Sequence, residues 1–302
     1  MIKPMSNKIK KLKDKFNKTI WTDNIEKLKS HLYEQRGNIQ GKSSLLMLPK
    51  NTADVVKIVK FCNKNKISIV PQGGRTGLCG GTVPNKNGEE ILLSTEKMDK
   101  VIEVSKDGFY MIVQAGCSLS LIKKIAFENN RFFPLSLPSE SSCTIGGNIS
   151  TNAGGAAVLK YGMTKELVEG IEVVLPNGEI INSIKNIEKD NRGFDPKYLH
   201  IGSEGTLGII TKVKIRLFPE IKKKTMAIVA TDTINNLIKF LKITKNDCYE
   251  YFSSFEINTN IGLNLINKFY KDIPIPFDNQ YNWYAIVELS AYNNVNLEKK
   301  LW

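Results

Sequence analysis

Long apolar runs are missing from this sequence. No stretch approaches the ~20 apolar residues that a membrane-spanning helix needs, and the first twenty residues hold no continuous apolar core of the kind a secretion signal carries. Cysteine is sparse: Cys62, Cys79, Cys117, Cys143 and Cys248 are odd in number, widely spaced and form no CxxC. That argues against a disulfide framework or a zinc ribbon and for a reducing compartment. Histidine is scarcer still, with only His31 and His200 and no HxxxH-type pair, so no metal site is expected. Arginine is rare as well. Of the 43 basic residues 38 are lysines, strewn along the whole chain, so the net charge of +13 comes without arginine gathered on one face. Nucleic-acid binding is therefore not expected. Two familiar nucleotide signatures are also absent: there is no GxxxxGK(S/T), and no GxGxxG after the first strand with an acid about twenty residues on.

The 302 residues suffice for about two domains. The opening "MIKPMSNKIKKLKDKFNKTIW" carries seven lysines, with Ile9, Leu12, Phe16 and Ile20 at helical spacing. It reads as a basic amphipathic helix, which either lies on an anionic membrane, serves as an organellar presequence, or docks its four apolar residues on the body. The absence of arginine counts against the presequence. Residues 45–218 then alternate short strands and helices. "SLLML" and "ISIV" predict strands around the helix "NTADVVKIVKFCNKNK", with Asn51 or Thr52 as cap and Val55, Val56, Val59 and Cys62 on its apolar face. "EILLS", "KVIEVS" and "YMIVQAG" predict strands, and "SLSLIKKIAFENN" a helix. "GIEVVLPNGEIIN" predicts two strands around a Pro-Asn-Gly turn. In "TKVKIRLFP", Val213, Ile215 and Leu217 alternate with Lys212, Lys214 and Arg216, as in a half-buried strand. Pro219 and Lys222–Lys224 predict a linker, followed by strand, helix, strand and a last strand, "NWYAIVELS", that closes nothing.

What the chain has in plenty is glycine in clusters. "PQGGRTGLCGGTVP" holds five glycines, no carboxylate and one arginine. Such a loop lets the backbone adopt positive φ and turn successive N–H groups toward an anion. Thr76 adds a hydroxyl and Arg75 a charge, so a phosphate or pyrophosphate is the natural guest. "TIGGNISTNAGG" and "IGSEGTLGII" supply two further glycine-rich segments joined to strand-like runs, which a mere surface loop would not need.

These segments, with "YGMTKELVEGIEVVLPNGEII" and in this order and spacing, resemble the FAD-linked oxidoreductases of the vanillyl-alcohol-oxidase (p-cresol-methylhydroxylase-type) fold over roughly residues 33–290. Within that fold they are similar to the branch of D-lactate dehydrogenases, the FAD subunit of glycolate oxidase and D-2-hydroxyglutarate dehydrogenase. The resemblance implies an α+β architecture: a helical lead over residues 1–40, a two-lobed FAD-binding domain over 41–219, and the start of an α+β cap, or substrate, domain over 220–302. It implies that Pro71, Gly73, Gly74, Arg75, Thr76, Gly77, Leu78, Gly80 and Gly81 cradle the FAD pyrophosphate. Pro138, Ser142, Thr144, Gly146 and Gly147 would line the flavin and ribityl region. Asn152, Gly154 and Gly155 would let the chain pass close to the cofactor, and Glu204, Gly205 and Ile210 would sit at its adenosine or ribityl end.

Relatives that link flavin covalently use a histidine in or near the first loop, and none stands there, so the FAD is expected to be non-covalent. The resemblance implies oxidation of a D-2-hydroxy acid, with electrons leaving to a quinone, a cytochrome or an electron-transfer flavoprotein. The base would be a histidine in a C-terminal segment that also holds divalent-metal ligands. No such segment occurs before Trp302, so a chain cut midway through its cap domain is expected, and no catalytic residue is named. The competing expectations are a naturally short flavoprotein and a non-catalytic FAD-binding subunit that needs a partner chain. The reductase of UDP-N-acetylenolpyruvoylglucosamine shares the fold, but its Ser-Tyr-Arg segment is not found here. The expected location is cytoplasmic, with peripheral membrane contact through the basic helix as a variant. His200 is expected to be a packed strand-end residue.

Overall fold

A computed structural model describes residues 7–301 apart from 186, 188 and 273–276. Contacts divide the chain into two units: Met1–Phe133, Pro138–Ala153 and Thr164–Phe218 in the first, and Pro134–Leu137, Gly154–Met163 and Pro219–Trp302 in the second.

The first unit holds two larger sheets, beside the short pairing of Arg131–Phe132 with Phe218–Pro219. One has the order Trp21–Thr22, Leu46–Met47, Ile91–Ser94, Ile69–Gln72, and its last three strands run parallel. Parallel neighbours need a crossover, and the helix Thr52–Asn65 supplies it between Leu46–Met47 and Ile69–Gln72. Asn51 is the cap: its side chain accepts from the Asp54 N–H. The helix stops at Lys66, whose φ of 53° is left-handed. Ile58, left out of the predicted face, is buried with Val55, Val59 and Cys62. The strand expected at "ISIV" runs two residues later, through Pro71 and Gln72, and so carries its order directly into the glycine loop. The second sheet is antiparallel, in the order Val101–Val104, Tyr110–Gln114, Ile209–Arg216, Val168–Val174, Ile180–Asn182.

Several expectations need correction. Among the described residues the N-terminal helix is Asn7–Lys15, and, as the docking alternative expects, its Ile9 and Leu12 are buried in the core with Val55, Ile58, Leu93 and Met98. Its apolar face is thus spent on the protein, which removes that face as a membrane contact. The glycines of "TIGGNIST" do not prevent a helix, Ile145–Ser150. Lys214 does not face water: it is 3% exposed. Its ammonium lies 3.3 Å from Glu169, donates to the Lys185 carbonyl and sits over the Tyr110 ring. His200 ends a short helix, Lys197–His200, rather than a strand.

In the second unit the lysine run is no linker, since the strand Lys223–Thr231 begins inside it. "NWYAIVELS" does close something: Trp283–Ala291 is the central strand, paired antiparallel with Lys223–Thr231 and Phe252–Thr259. The helix Ile234–Asp247 packs Phe240 and Leu241 against a core of Phe252, Val287 and Leu289. Met226, Ile228 and Ile257 are exposed on this sheet, and the unforeseen helix Asn260–Phe269 buries none of its residues.

Candidate cofactor site

The three glycine-rich segments of the first unit meet, and the glycines are what let them. A Cβ on Gly73 would stand 2.4 Å from Thr144 Oγ1, and one on Gly74 would stand 2.0 Å from the Ser142 carbonyl oxygen. A Cβ on Gly205 would strike Pro71 at 2.6 Å, and Gly81 lies against the Glu204 carboxylate, 3.2 Å from its would-be Cβ. The third segment is tied down by the Gly202 N–H to the Ile149 carbonyl and the Glu204 N–H to the Ser150 carbonyl. At Gly77 a Cβ would meet nothing within 4 Å, so there the loop faces open space.

One side chain holds the first loop shut at its base. Gln72, 2% exposed, precedes Gly73, and its Nε2 donates to the carbonyls of His31 (2.9 Å) and Thr82 (2.6 Å). With both protons so committed, its Oε1 accepts from His31 Nδ1–H at 2.6 Å. Both ends of the glycine loop are thereby fixed to the same carboxamide. The other nitrogen of His31 faces Glu96 at 3.9 Å, and Arg75 reaches the same carboxylate oxygen at 3.8 Å. Burial lowers the pKa of His31 from 6.5, with Arg75 acting in the same direction while Gln72 and Glu96 oppose it. Burial also lowers that of Arg75. Arg75 has a φ of 56°, a left-handed geometry unfavourable to a side chain and found at functional sites. Sequence reasoning missed Gln72, His31 and Glu96, which lie up to 65 positions apart.

The second segment presents an unmet need. Thr144 caps Ile145–Ser150, yet its Oγ1 is buried without a hydrogen-bond partner and points between Gly73 and Gly147. A buried hydroxyl without a partner is costly, and a ligand oxygen there would satisfy it. Gly146 is different from its neighbour, since its missing Cβ makes room for Ala115 at 2.7 Å and so serves packing. Asn152 turns the chain with a φ of 46° and caps Lys165 N–H. Gly154 and Gly155 belong to the second unit, where Met163 and the Ser136 carbonyl occupy the space of a Cβ. Pro138, Ser142, Leu78 and Glu204 are exposed, and Thr76 is half-buried.

Beside Pro71 and Gly205 opens a cleft of about 430 Å³, walled by Val59, Cys62, Ile69, Val174, Gly208 and Ile209. Ile209 lines this cleft, and Ile210, expected near the cofactor's adenosine or ribityl end, is the next residue of the same strand. Asn63, Lys66, Ser68 and Thr206 also line the cleft, so its wall mixes apolar and polar groups. A cleft of this size and character suits a planar ring with polar edges. Pro71 on its wall leads through Gln72 into Gly73 and Gly74, whose backbone suits a diphosphate. The residues present therefore fit a dinucleotide. Burial raises the thiols of Cys62 and Cys117 to about 12, so both are inert neutral groups.

The fold is known. Alkyldihydroxyacetonephosphate synthase superposes with a TM-score of 0.80 over 96% of this chain and 56% of its own, at 19% identity. Substrate-bound p-cresol methylhydroxylase superposes with a TM-score of 0.76 over 96% of this chain and 62% of its own, at 16% identity. These likenesses give the chain a fold of the p-cresol-methylhydroxylase type. Residues 43–183 match the FAD binding domain family. Its curated relatives include the D-2-hydroxyglutarate–pyruvate transhydrogenase of Saccharomyces cerevisiae, 37% identical over 91% of this chain and 55% of the relative. The mitochondrial D-2-hydroxyglutarate dehydrogenase of Arabidopsis thaliana is 35% identical over 87% of this chain and 46% of the relative. A putative mitochondrial D-lactate dehydrogenase of Schizosaccharomyces pombe is 34% identical over 87% and 49%. The chain spans about half the length of these relatives.

Proposed function

We propose that the chain serves FAD-dependent oxidation of a D-2-hydroxy acid, with FAD held non-covalently by the first unit. The observation that carries the proposal is the meeting of Gly73–Gly74, Thr144–Gly147 and Gly202–Gly208 around a partnerless Thr144 hydroxyl, in a chain whose relatives bear these dehydrogenase names. In this reading the amides of Gly73–Gly81 and the Arg75 guanidinium bind the diphosphate, and Thr144 donates to or accepts from the cofactor. The cleft of Pro71, Val174 and Ile209 takes the adenine, and Glu204 stands where a ribose hydroxyl could be bound. Bound FAD supplies the hydride acceptor, its N5. Neither histidine serves as a base: His31 is clasped by Gln72, and His200 is 4% exposed. Electrons then leave to a quinone, a cytochrome or an electron-transfer flavoprotein, in a cytoplasmic setting.

A second reading, a cofactor-bearing subunit completed by another chain, is favoured by the exposed Met226 and Ile228 on one face of the second unit's sheet. No helix among the described residues is long and apolar enough to cross a membrane. Anaerobic mixing of the FAD-loaded chain with D-lactate, glycolate and D-2-hydroxyglutarate separates the readings. Bleaching of the flavin absorbance by one of them supports the dehydrogenase, whereas flavin that stays oxidised with all three contradicts activity in this chain alone.

A further inference from the structure

The second unit contains a half-buried cation whose charge burial disfavours and the nearby Glu288, itself paired with Lys224, only partly offsets. Lys160 stands on the short helix Val158–Tyr161, half-buried against the sheet. Its ammonium donates to the Ser290 carbonyl at 2.7 Å and to Ser290 Oγ at 3.1 Å. Among the described residues no carboxylate lies within 4.0 Å of it. The acid on that face of the strand, Glu288, is paired with Lys224 at 2.7 Å. The rings of Tyr161 and Tyr292 flank the ammonium at 5.6 and 5.3 Å, and their hydroxyls meet at 3.0 Å.

A register shift in the sheet lies beside this cluster. Glu288 and Ser290 are two apart on the strand and share one face, and Tyr292 follows just past the strand's end at Ala291. On the neighbouring strand the register slips between Phe252 and Ser254, so Ser253 is the bulged residue. Bulges re-aim side chains next to functional sites, and here the Ser253 hydroxyl is brought within 2.5 Å of that of Ser290. One ammonium, two phenols and a pair of serine hydroxyls thus converge, with Tyr292 donating to Tyr161 and one serine hydroxyl to the other. Burial keeps Tyr161 well above its usual pKa, so it stays a neutral donor, while Tyr292 is 37% exposed and leaves the cluster open to solutes.

We propose that Lys160, Tyr161 and Tyr292 form a carboxylate-binding site for a small organic acid. A half-buried lysine whose ammonium touches only neutral oxygens, with Glu288 nearby but paired to Lys224, is costly to keep. Such an ammonium is completed by a carboxylate in direct contact. If the chain oxidises a 2-hydroxy acid, which this step takes from the function proposed above, the carboxylate is that of the substrate.

Calorimetric titration of the full chain with glutarate and with propionate, which carry the carboxylate but no oxidisable hydroxyl, tests the site apart from the chemistry. Binding by the wild type is expected, weakened roughly tenfold or more by Lys160→Met and several-fold by Tyr292→Phe. Lys160→Arg is expected to retain most of it. The Tyr292 variant removes one exposed hydroxyl and leaves the ring, so a folded protein is available whatever Lys160→Met does to stability. Absence of binding by the wild type, or equal binding by wild type and Tyr292→Phe together with Lys160→Met, overturns the site. Variant-sensitive binding in a protein whose flavin no 2-hydroxy acid reduces leaves the site standing and overturns the oxidation.

Discussion

Gln72 does at the scale of one residue what a loop of five glycines cannot do for itself. Glycine loses much entropy on ordering, and Gln72 offsets that by tying the carbonyls of His31 and Thr82 to one buried amide. Replacing it by leucine strands both carbonyls. Gln72→Leu should therefore lower stability by about 3 kcal/mol and loosen FAD, measured as thermal midpoints with and without cofactor. Midpoints that match the wild type would contradict the clasp. Arg75→Ala should weaken FAD binding by roughly tenfold through loss of a charged donor. It should leave the cofactor-free midpoint within a few degrees, since the exchange with Glu96 at 3.8 Å is long; unchanged affinity would remove Arg75 from the site. His31 gives a pH dependence. Its folded pKa lies below 6.5, so the unfolded chain binds the proton more readily. The neutral ring's stabilisation is complete above the unfolded value and is lost as pH falls from about 6.5 through the folded value. Melts across that range should fall more steeply for the wild type than for His31→Gln, and parallel curves would contradict it.

The elements show which parts of the site could be read in advance. Gly74 and Gly77 make the contrast testable. Gly74→Ala drives a Cβ to 2.0 Å from the Ser142 carbonyl and should destabilise the cofactor-free protein by about 2 kcal/mol or more. Gly77→Ala meets nothing within 4 Å, so it should spare the fold and impair only FAD binding, as urea melts beside FAD titrations would reveal. The segments around these positions were legible because close backbone approach leaves only glycine acceptable. The helix Ile145–Ser150 was not, because its propensity is poor and its stability comes from packing Gly146 on Ala115. Lys214 was misread for a related reason. Alternation along Ile209–Arg216 reports two faces but not what covers them, and the Lys185 carbonyl and the Tyr110 ring cover the second. The His31–Gln72 clasp joins residues 41 apart through polar atoms, which no apolar period reveals.

For the molecule as a whole, the division of labour is between a first unit built to hold a dinucleotide and a second unit whose sheet gathers donors around Lys160. The order of motifs made the class legible, whereas the composition of the second unit, a short sheet with ordinary strands and helices, carried little. Its central strand, Trp283–Ala291, comes last in sequence and is flanked only through long-range pairing. The central claim is that Gly73–Gly81, Thr144–Gly147 and Gly202–Gly208 together hold FAD without a covalent bond. Its most direct test is a titration of the 302-residue chain with FAD, read by flavin fluorescence, followed by acid precipitation. The account predicts saturation at one FAD per chain, all of the colour in the supernatant after precipitation, and affinity lost in Gly77→Ala. A chain that binds no FAD, or one that holds it as tightly with an added methyl at Gly77, would contradict it.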